Sequence, residues 1–299
     1  MSPSARSQVM NPQGLSPEAE ARLVRREAAV GVDLPLPDLD DPAAVRDWRA
    51  RQHAAWGEDA EPGEIPHVPE LIGGVPCLRA NPDPMPAGPA TVVYLHGGGF
   101  GLGSPGTALP ITARIGAMLP VVSIDYRLAP EHSFPAALDD LERVVAALSG
   151  QGPLVLAGDS AGACLALASC LGEASPTRHQ SIAALLLLCP VLDLGTSTDP
   201  VVERYVGSAQ GSRVSPLSAP DAELGALPPT LLQSTTGDPL HRDALRFVAR
   251  MQRSGATVRH EVWADLWHAW HYHRELPEAR DAVDGACRFV IERIVDGSS

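Results

Sequence analysis

The sequence predicts an α/β fold in which a mostly parallel sheet carries helices on both faces. Short apolar runs recur along the chain, and helical segments separate them. The clearest helical segment has an apolar stripe of helical period between Phe134 and Leu148. Parallel strands need long crossover connections, so strands that alternate with helices indicate a sheet covered on both sides. The strand-like runs are residues 77–79, 91–95, 121–125, 154–157, 183–188, 230–234 and 257–263.

Two segments lie outside this alternation. Before the first strand, residues 16–28 and 41–56 are predicted to be helical, with Asp41 as a candidate cap, and residues 61–69 form a proline-punctuated link. From residue 192 to residue 229 there is no strong strand, and Gly, Ser and Pro are dense. That stretch is too long for a bare loop in a compact domain. A mobile surface excursion is the alternative interpretation.

Composition narrows the class of function. The chain has 299 residues, enough for one domain with an insertion, and a formal charge of −13. This acidity argues against binding to nucleic acids or anionic membranes, which favour a basic face. The sequence contains no Lys, so all 23 residues counted as Lys or Arg are Arg. A Ser–Lys mechanism, a Schiff base and a phosphate-loop lysine are therefore excluded.

The remaining composition indicates an ordinary cytoplasmic protein. Residues 1–13 are polar and resemble no signal peptide, and the longest apolar run, residues 182–189, is too short to span a membrane. Five cysteines at irregular spacing match neither a disulfide framework nor a metal site. We expect them to be buried as small apolar side chains.

The segment Gly158-Asp159-Ser160-Ala161-Gly162 matches a G-x-S-x-G elbow. It lies between a buried strand and an Ala-rich helical run, so the chain must turn sharply at Ser160. Gly158 and Gly162 remove side chains that would clash where strand and helix approach each other. This geometry would hold the Ser160 hydroxyl at the positive end of a helix. A chance glycine-rich loop is the alternative.

The segment His96-Gly97-Gly98-Gly99 follows another strand-like run. Consecutive glycines let backbone N–H groups approach a ligand closely. The N–H groups of Gly98, Gly99 and Ala161 are therefore candidates for an oxyanion hole. We expect His96 and Gly97 to support this loop structurally; a flexible turn is the alternative.

The pairing of HGGG with GDSAG resembles the hormone-sensitive-lipase family of α/β-hydrolases, which includes bacterial esterases and acetyl-hydrolases. Residues 125–132, 214–217, 227–229 and 238–240 resemble further motifs of that family, and the likeness runs from about residue 64 to about residue 295. The resemblance implies an α/β-hydrolase fold and hydrolysis of small, short- to medium-chain acyl esters. It implies no cofactor and no metal, and it permits a homodimer.

An acid and a histidine follow the elbow in the order that an α/β-hydrolase uses. Asp238 follows the run at 230–234, and His268 follows the last strand, so we expect a Ser160-His268-Asp238 triad. Asp243 remains an alternative acid. His271 and His273 are alternative bases, and the three histidines also have spacing that metal ligands use.

Two further side chains are candidates for support of the site. Asp159, next to the nucleophile, is expected to make local hydrogen bonds. Glu131 lies in the segment 125–132, which resembles a motif of that family. It either supports the active site or belongs to an ordinary turn. Three tryptophans near His268 either pack in the core or form a surface that contacts a ligand: Trp263, Trp267 and Trp270.

The resemblance also suggests a division of the chain. Residues 1–62 would be an N-terminal helical cap segment, and residues 63–299 the catalytic domain. Residues 192–229 would be a lid insertion that joins the N-terminal helices over the site. Because the substrate pocket lies in these variable parts, an amidase, a lactonase or a natural-product deacetylase stays open. A lipase acting at lipid interfaces and a non-catalytic small-molecule receptor are less favoured.

Overall fold

The computed structural model describes residues 7–25, 34–57, 66–80, 89–172 and 181–297. In this part of the chain one nine-stranded sheet has the order β1-β9-β8-β7-β6-β4-β5-β3-β2. The strands are β1 (Gln8–Val9), β2 (His67–Ile72), β3 (Val75–Ala80), β4 (Thr91–Leu95), β5 (Val121–Ile124), β6 (Leu154–Asp159), β7 (Ile182–Leu188), β8 (Thr230–Thr235) and β9 (Val258–Trp263).

Most of this sheet is parallel, as predicted. Strands β4 to β9 and β1 pair in parallel, while β3 is antiparallel to β5 and β2 is antiparallel to β3. The central strands β5, β6 and β8 are buried at every residue. Such strands appear in a sequence as continuous apolar runs, which is why they were recognisable.

Helices cover both faces of the sheet, which confirms the predicted fold class. Over the described residues the helices are α1 (Pro17–Arg25), α2 (Pro42–Gly57), α3 (Leu109–Gly116), α4 (Ala136–Leu148), α5 (Ala161–Ser169), α6 (Pro200–Val206), α7 (Asp221–Gly225), α8 (His241–Arg253) and α9 (Pro277–Gly297). One apolar cluster includes side chains of α4, α5 and α8. A second includes α3 and α9 and lies on the other face.

Two strands differ from the sequence interpretation. Residues 67–69, expected as part of a link, belong to β2, where five of the six side chains are exposed. An exposed edge strand shows no apolar alternation, and Pro69 is tolerated at an edge because no outer neighbour needs its missing N–H. The short β1 was also not predicted. Residues 26–28 of the first predicted helix and 61–65 of the link lie outside the described residues.

The segment 192–229 contains α6, α7 and a short 3₁₀ helix at Pro216–Ser218. It contacts the N-terminal segment, because Arg204 of α6 forms an ion pair with Asp40 at 2.8 Å. It also contacts the loop after β4, where the rings of Tyr205 and Phe100 stack at 4.1 Å. The N-terminal segment reaches the same loop, because Arg49 of α2 donates to Gly101 O at 2.7 Å. Both segments outside the strand–helix alternation therefore meet beside this loop.

The five cysteines are free and buried, as predicted. Among the described residues, none of the helices combines the length and the apolar character required to cross a bilayer.

Because three histidines are buried, we expect the fold to lose stability in acid. Burial, with repulsion from a neighbouring histidine, lowers the pKa of His96 and of His260 from 6.5 to about 4 and that of His271 to about 3. As the pH falls below 6.5, the unfolded chain binds protons first. The contribution of each histidine to the free energy of unfolding is fully present above pH 6.5. It is lost progressively as the pH falls below that value, with a slope of about 1.4 kcal/mol per pH unit for each group.

Urea unfolding between about pH 7 and about pH 4 measures this loss. The His260→Gln variant should have a shallower pH dependence, because glutamine can keep the contacts with Ser7 and Ser234 without titrating. His132→Gln, at an exposed site, is the matched control. A free energy of unfolding that is constant across this range would contradict the prediction.

Candidate active site

The elbow at Ser160 is built by the meeting of β6 and α5. Strand β6 ends at Asp159 and α5 begins at Ala161, so Ser160 alone makes the turn, with φ +52° and ψ −116°. A non-glycine residue rarely adopts a positive φ, and it persists only where the surrounding structure holds it. The Ser160 N–H is held by the carbonyl of Leu188 on β7 at 2.9 Å.

Two glycines make this turn sterically feasible, as the sequence predicted. A Cβ on Gly162 would lie 2.0 Å from the carbonyl oxygen of Leu95, and one on Gly158 would lie 2.6 Å from the same oxygen. Both separations are far inside van der Waals contact. The elbow therefore packs against the end of β4 more closely than any side chain permits.

His268 joins Ser160 to Asp238 in one chain of hydrogen bonds. His268 Nε2 lies 3.0 Å from Ser160 Oγ, and His268 Nδ1 lies 2.6 Å from Asp238 Oδ2. The other carboxylate oxygen of Asp238 accepts the N–H of Leu240 at 2.9 Å. The Asp238 side chain is 2% exposed and that of His268 is 37% exposed, so the imidazole has a buried side and an open side.

The alternative acid and bases lie elsewhere. Asp243 forms an exposed ion pair with Arg246 at 2.9 Å. His271 Nε2 hydrogen bonds to Gln233 Oε1 at 2.9 Å in the core, and the ring of His273 packs edge-on against Trp267.

The three histidines do not form a ligand cluster in the structure. In the described part of the chain, the one group of three metal-ligating side chains with ligand atoms within 4.8 Å of one another is Cys189, Asp238 and His268. Two of its members are already hydrogen bonded to each other. The three nearby tryptophans are all buried, in a cluster with Leu266 and Leu276.

The glycine loop, residues 96–103, lies beside the elbow. Its backbone turns through positive φ at Gly98 (+118°) and Gly99 (+59°) and is closed by a hydrogen bond from Leu102 N to Gly98 O at 2.8 Å. Among the residues that the structure describes, no acceptor takes the N–H groups of Gly98, Gly99 or Ala161. These three donors remain available to a ligand.

Asp159 binds the glycine loop to the rest of the site. Its carboxylate, 1% exposed, accepts hydrogen bonds from Tyr94 Oη at 2.7 Å, Gly97 N at 3.0 Å and Tyr272 Oη at 3.1 Å. Burial raises the pKa of Asp159, and these donors oppose that rise. A Cβ on Gly97 would lie 2.2 Å from this carboxylate, so the loop requires glycine there. No sequence signal distinguished either tyrosine.

His96 lies under the glycine loop. Its Nδ1 is 2.8 Å from Gly97 O and its ring stacks on Tyr126 with centroids 4.2 Å apart. The Tyr126 hydroxyl donates to His96 O at 2.7 Å. Because burial lowers the pKa of His96 to about 4, the ring is neutral near pH 7.

Glu131 is linked to the glycine loop through Arg49. Two 2.7 Å hydrogen bonds join its carboxylate to the Arg49 guanidinium. Partial burial alone would raise the pKa of Glu131, but the bonds to Arg49 lower it below its ordinary value. Arg49 also donates to the carbonyls of Gly101 and Ala129. Sequence reasoning missed Arg49, because a surface helix with several arginines gives no signal for one of them.

The N-terminal segment also holds the histidine loop, residues 264–276. Asn11 Oδ1 accepts the N–H of Ala264 at 2.6 Å, and Asn11 Nδ2 donates to Ala264 O at 3.0 Å. Ser16 donates through its N–H and its hydroxyl to Glu278, just beyond this loop, at 2.6 and 2.8 Å.

Comparison with known proteins agrees with this architecture. A protein family described as having the alpha/beta hydrolase fold matches residues 92–272, more than half of the chain. An acetyl-hydrolase of Streptomyces hygroscopicus is 34% identical over 226 aligned positions, covering 67% of this chain and 75% of that protein. The carboxylesterase NlhH of Mycobacterium tuberculosis is 32% identical over 248 positions, covering 72% of this chain and 75% of that protein.

Solved structures agree with the sequence relatives. The crystal structure of a hormone-sensitive lipase from a metagenome library has a TM-score of 0.75 and 28% identity, and the match covers 96% of this chain and 100% of that one. The family match and these relatives together show that this chain belongs to the hormone-sensitive-lipase family of α/β-hydrolases and is an ester hydrolase.

Proposed function

We propose that the chain is a serine carboxylesterase that hydrolyses small, short- to medium-chain acyl esters through an acyl-enzyme. The observation that carries the proposal is the continuous hydrogen bonding from Ser160 through His268 to Asp238. Three unoccupied N–H donors beside the nucleophile support it. Metal ions and cofactors have no step in this proposal.

In the proposed mechanism, His268 Nε2 accepts the proton of the Ser160 hydroxyl while Ser160 Oγ attacks the ester carbonyl. The tetrahedral intermediate collapses, and the same nitrogen donates the proton to the leaving alcohol. Water then attacks the acyl-enzyme with His268 again as the base, which releases the acid and restores Ser160.

Asp238 is proposed to fix the tautomer of His268. Its carboxylate accepts a hydrogen bond from Nδ1–H, so the proton stays on Nδ1 and Nε2 is unprotonated and directed at Ser160. The negative charge also stabilises the imidazolium that forms during attack. Because Leu240 N donates to the second oxygen of Asp238, the carboxylate is held in this orientation.

The N–H groups of Gly98, Gly99 and Ala161 are proposed to bind the developing oxyanion. Ala161 begins α5, where the helix dipole favours negative charge. Donors already in place require no reorganisation during the reaction, and each contributes roughly 3–4 kcal/mol to transition-state stabilisation. Asp159, Gly97 and His96 are proposed to support this loop without contacting the substrate.

The two segments outside the strand–helix alternation, residues 1–62 and 192–229, are proposed to cover the site as cap and lid. Their contact through Asp40 and Arg204 and their packing beside the glycine loop support this role. A relative named acetyl-hydrolase supports small acyl groups as substrates, and one named carboxylesterase supports an ester bond.

Hydrolysis of p-nitrophenyl esters from acetate to palmitate tests the proposed activity. We expect turnover to be greatest on the short and medium chains and to be lost in Ser160→Ala, since Ser160 Oγ is the group that His268 Nε2 contacts, at 3.0 Å. A Ser160→Ala preparation with full activity would refute the proposal. Matched amide and lactone substrates then define the preferred bond.

The assignment of the acid is tested by a pair of variants. Asp238→Asn should lower kcat by roughly 10³- to 10⁴-fold, because an amide favours the wrong tautomer of His268. Asp243→Asn is the matched control, since it removes an exposed ion pair. We expect it to change kcat by less than about twofold. A large loss in the control variant instead would move the acid to Asp243.

Replacement of Asp159 should damage stability and activity together. Asp159→Ala leaves three buried donors without an acceptor, at a cost of roughly 1–3 kcal/mol each in the free energy of unfolding. Asp159→Asn, which keeps one carbonyl oxygen, should lose less. Urea unfolding and kcat measure both effects, with the exposed Asp281→Asn as control. Equal stability of Asp159→Ala and the parent protein would contradict this view of Asp159.

A further inference from the structure

Helix α2 places two side chains on the backbone of the glycine loop. Arg49 donates from Nε to Gly101 O at 2.7 Å and from Nη2 to Ala129 O at 2.5 Å. One turn further along the same helix, His53 Nε2 accepts the N–H of Gly103 at 3.0 Å. Residues four apart lie on one face of a helix, so both contacts come from the same side of α2.

The Arg49 contact is rigid. The planar guanidinium binds two carbonyl oxygens and, through Nη1 and Nη2, both oxygens of Glu131. Such a fork fixes several partners in one geometry, which a lysine ammonium does not do. The Arg49 side chain is only 15% exposed, so its charge is compensated mainly by Glu131.

The His53 contact depends on the form of the ring. A backbone N–H can only donate, so His53 Nε2 must be the unprotonated nitrogen. Burial and the nearby Arg49 charge lower the pKa of His53, which favours the form that accepts this bond. Thus α2 supplies a donor to one residue of the loop and an acceptor to another.

These contacts reach the proposed oxyanion donors through a short, closed stretch of backbone. Gly101 N and Leu102 N both donate to Gly98 O, at 3.1 and 2.8 Å. A shift of residues 101–103 would therefore be transmitted to the N–H groups of Gly98 and Gly99. A Cβ on Gly98 would lie 2.3 Å from Leu102 O, so the loop has little room to absorb such a shift.

The geometry points to Arg49 and His53 as positioning residues for the ester hydrolysis. They act through the glycine loop, whose N–H groups they hold in place for the oxyanion. The inference rests on the proposed oxyanion role of Gly98 and Gly99. It gives the N-terminal segment a part in transition-state stabilisation in addition to covering the site.

A loop held out of place weakens transition-state binding more than substrate binding. Arg49→Gln should therefore lower kcat by about 10- to 100-fold with a change in KM below about threefold, a loss smaller than removal of an oxyanion donor. Arg51→Gln is the matched control, because Arg51 lies on the same helix in an exposed ion pair with Asp47. It should leave both constants unchanged.

His53 supplies a second, independent pair of variants. His53→Gln keeps an oxygen that can accept the Gly103 N–H and should retain most of kcat. His53→Leu has no acceptor and should lose about tenfold in kcat. If Arg49→Gln does not fold, the inference is tested with Arg49→Lys and with the two His53 variants instead.

The oxyanion itself provides the decisive readout. A trifluoromethyl ketone forms an anionic tetrahedral adduct with a serine hydrolase, and its affinity should fall in Arg49→Gln and His53→Leu by the same factor as kcat/KM. Loss of kcat with unchanged affinity for this inhibitor would overturn the inference, as would parental kcat in both variants. Failure of the proposed function is distinguishable, because the parent enzyme would then show no Ser160-dependent hydrolysis or adduct.

Discussion

The buried carboxylate of Asp159 is the contact on which the arrangement of the site depends. It belongs to the last residue of β6, yet its three donors come from β4, from the glycine loop and from the turn that follows His268. A charged group is stable in the interior only when it is fully hydrogen bonded, so these partners must be in place together. Ser160, the glycine loop and the histidine loop are thus tied to one point.

The elbow shows how a strained turn is maintained next to that carboxylate. Ser160 keeps a positive φ because β6 and α5 are fixed on either side of it and its N–H is bound to β7. The absence of side chains at Gly158 and Gly162 allows β4 to approach so closely. Packing of the whole sheet, rather than any local preference of serine, supplies the energy of this conformation.

How much the sequence predicted depends on whether each feature has a local pattern. Buried strands, the elbow and the HGGG loop could be recognised because apolar runs and glycine spacing have direct steric causes. The exposed strand β2 has no such pattern, and the choice between Asp238 and Asp243 requires knowledge of where the turn after β8 points. Contacts such as those of Arg49, Tyr94 and Tyr272 link residues far apart in the chain and leave no local trace.

The hydrogen bonds between Asn11 and Ala264, together with the pairing of β1 to β9, bear on the order of folding. Contacts between residues so distant in sequence form only after nearly the whole chain is available, and they carry a large loop-closure entropy. The sheet can assemble from β2 to β8 before then, with Ser160 already at the turn between β6 and α5. The histidine loop lies beyond β9 and gains its support from the N-terminal segment last. We therefore expect His268 to reach its final position late in folding, after most of the core has formed.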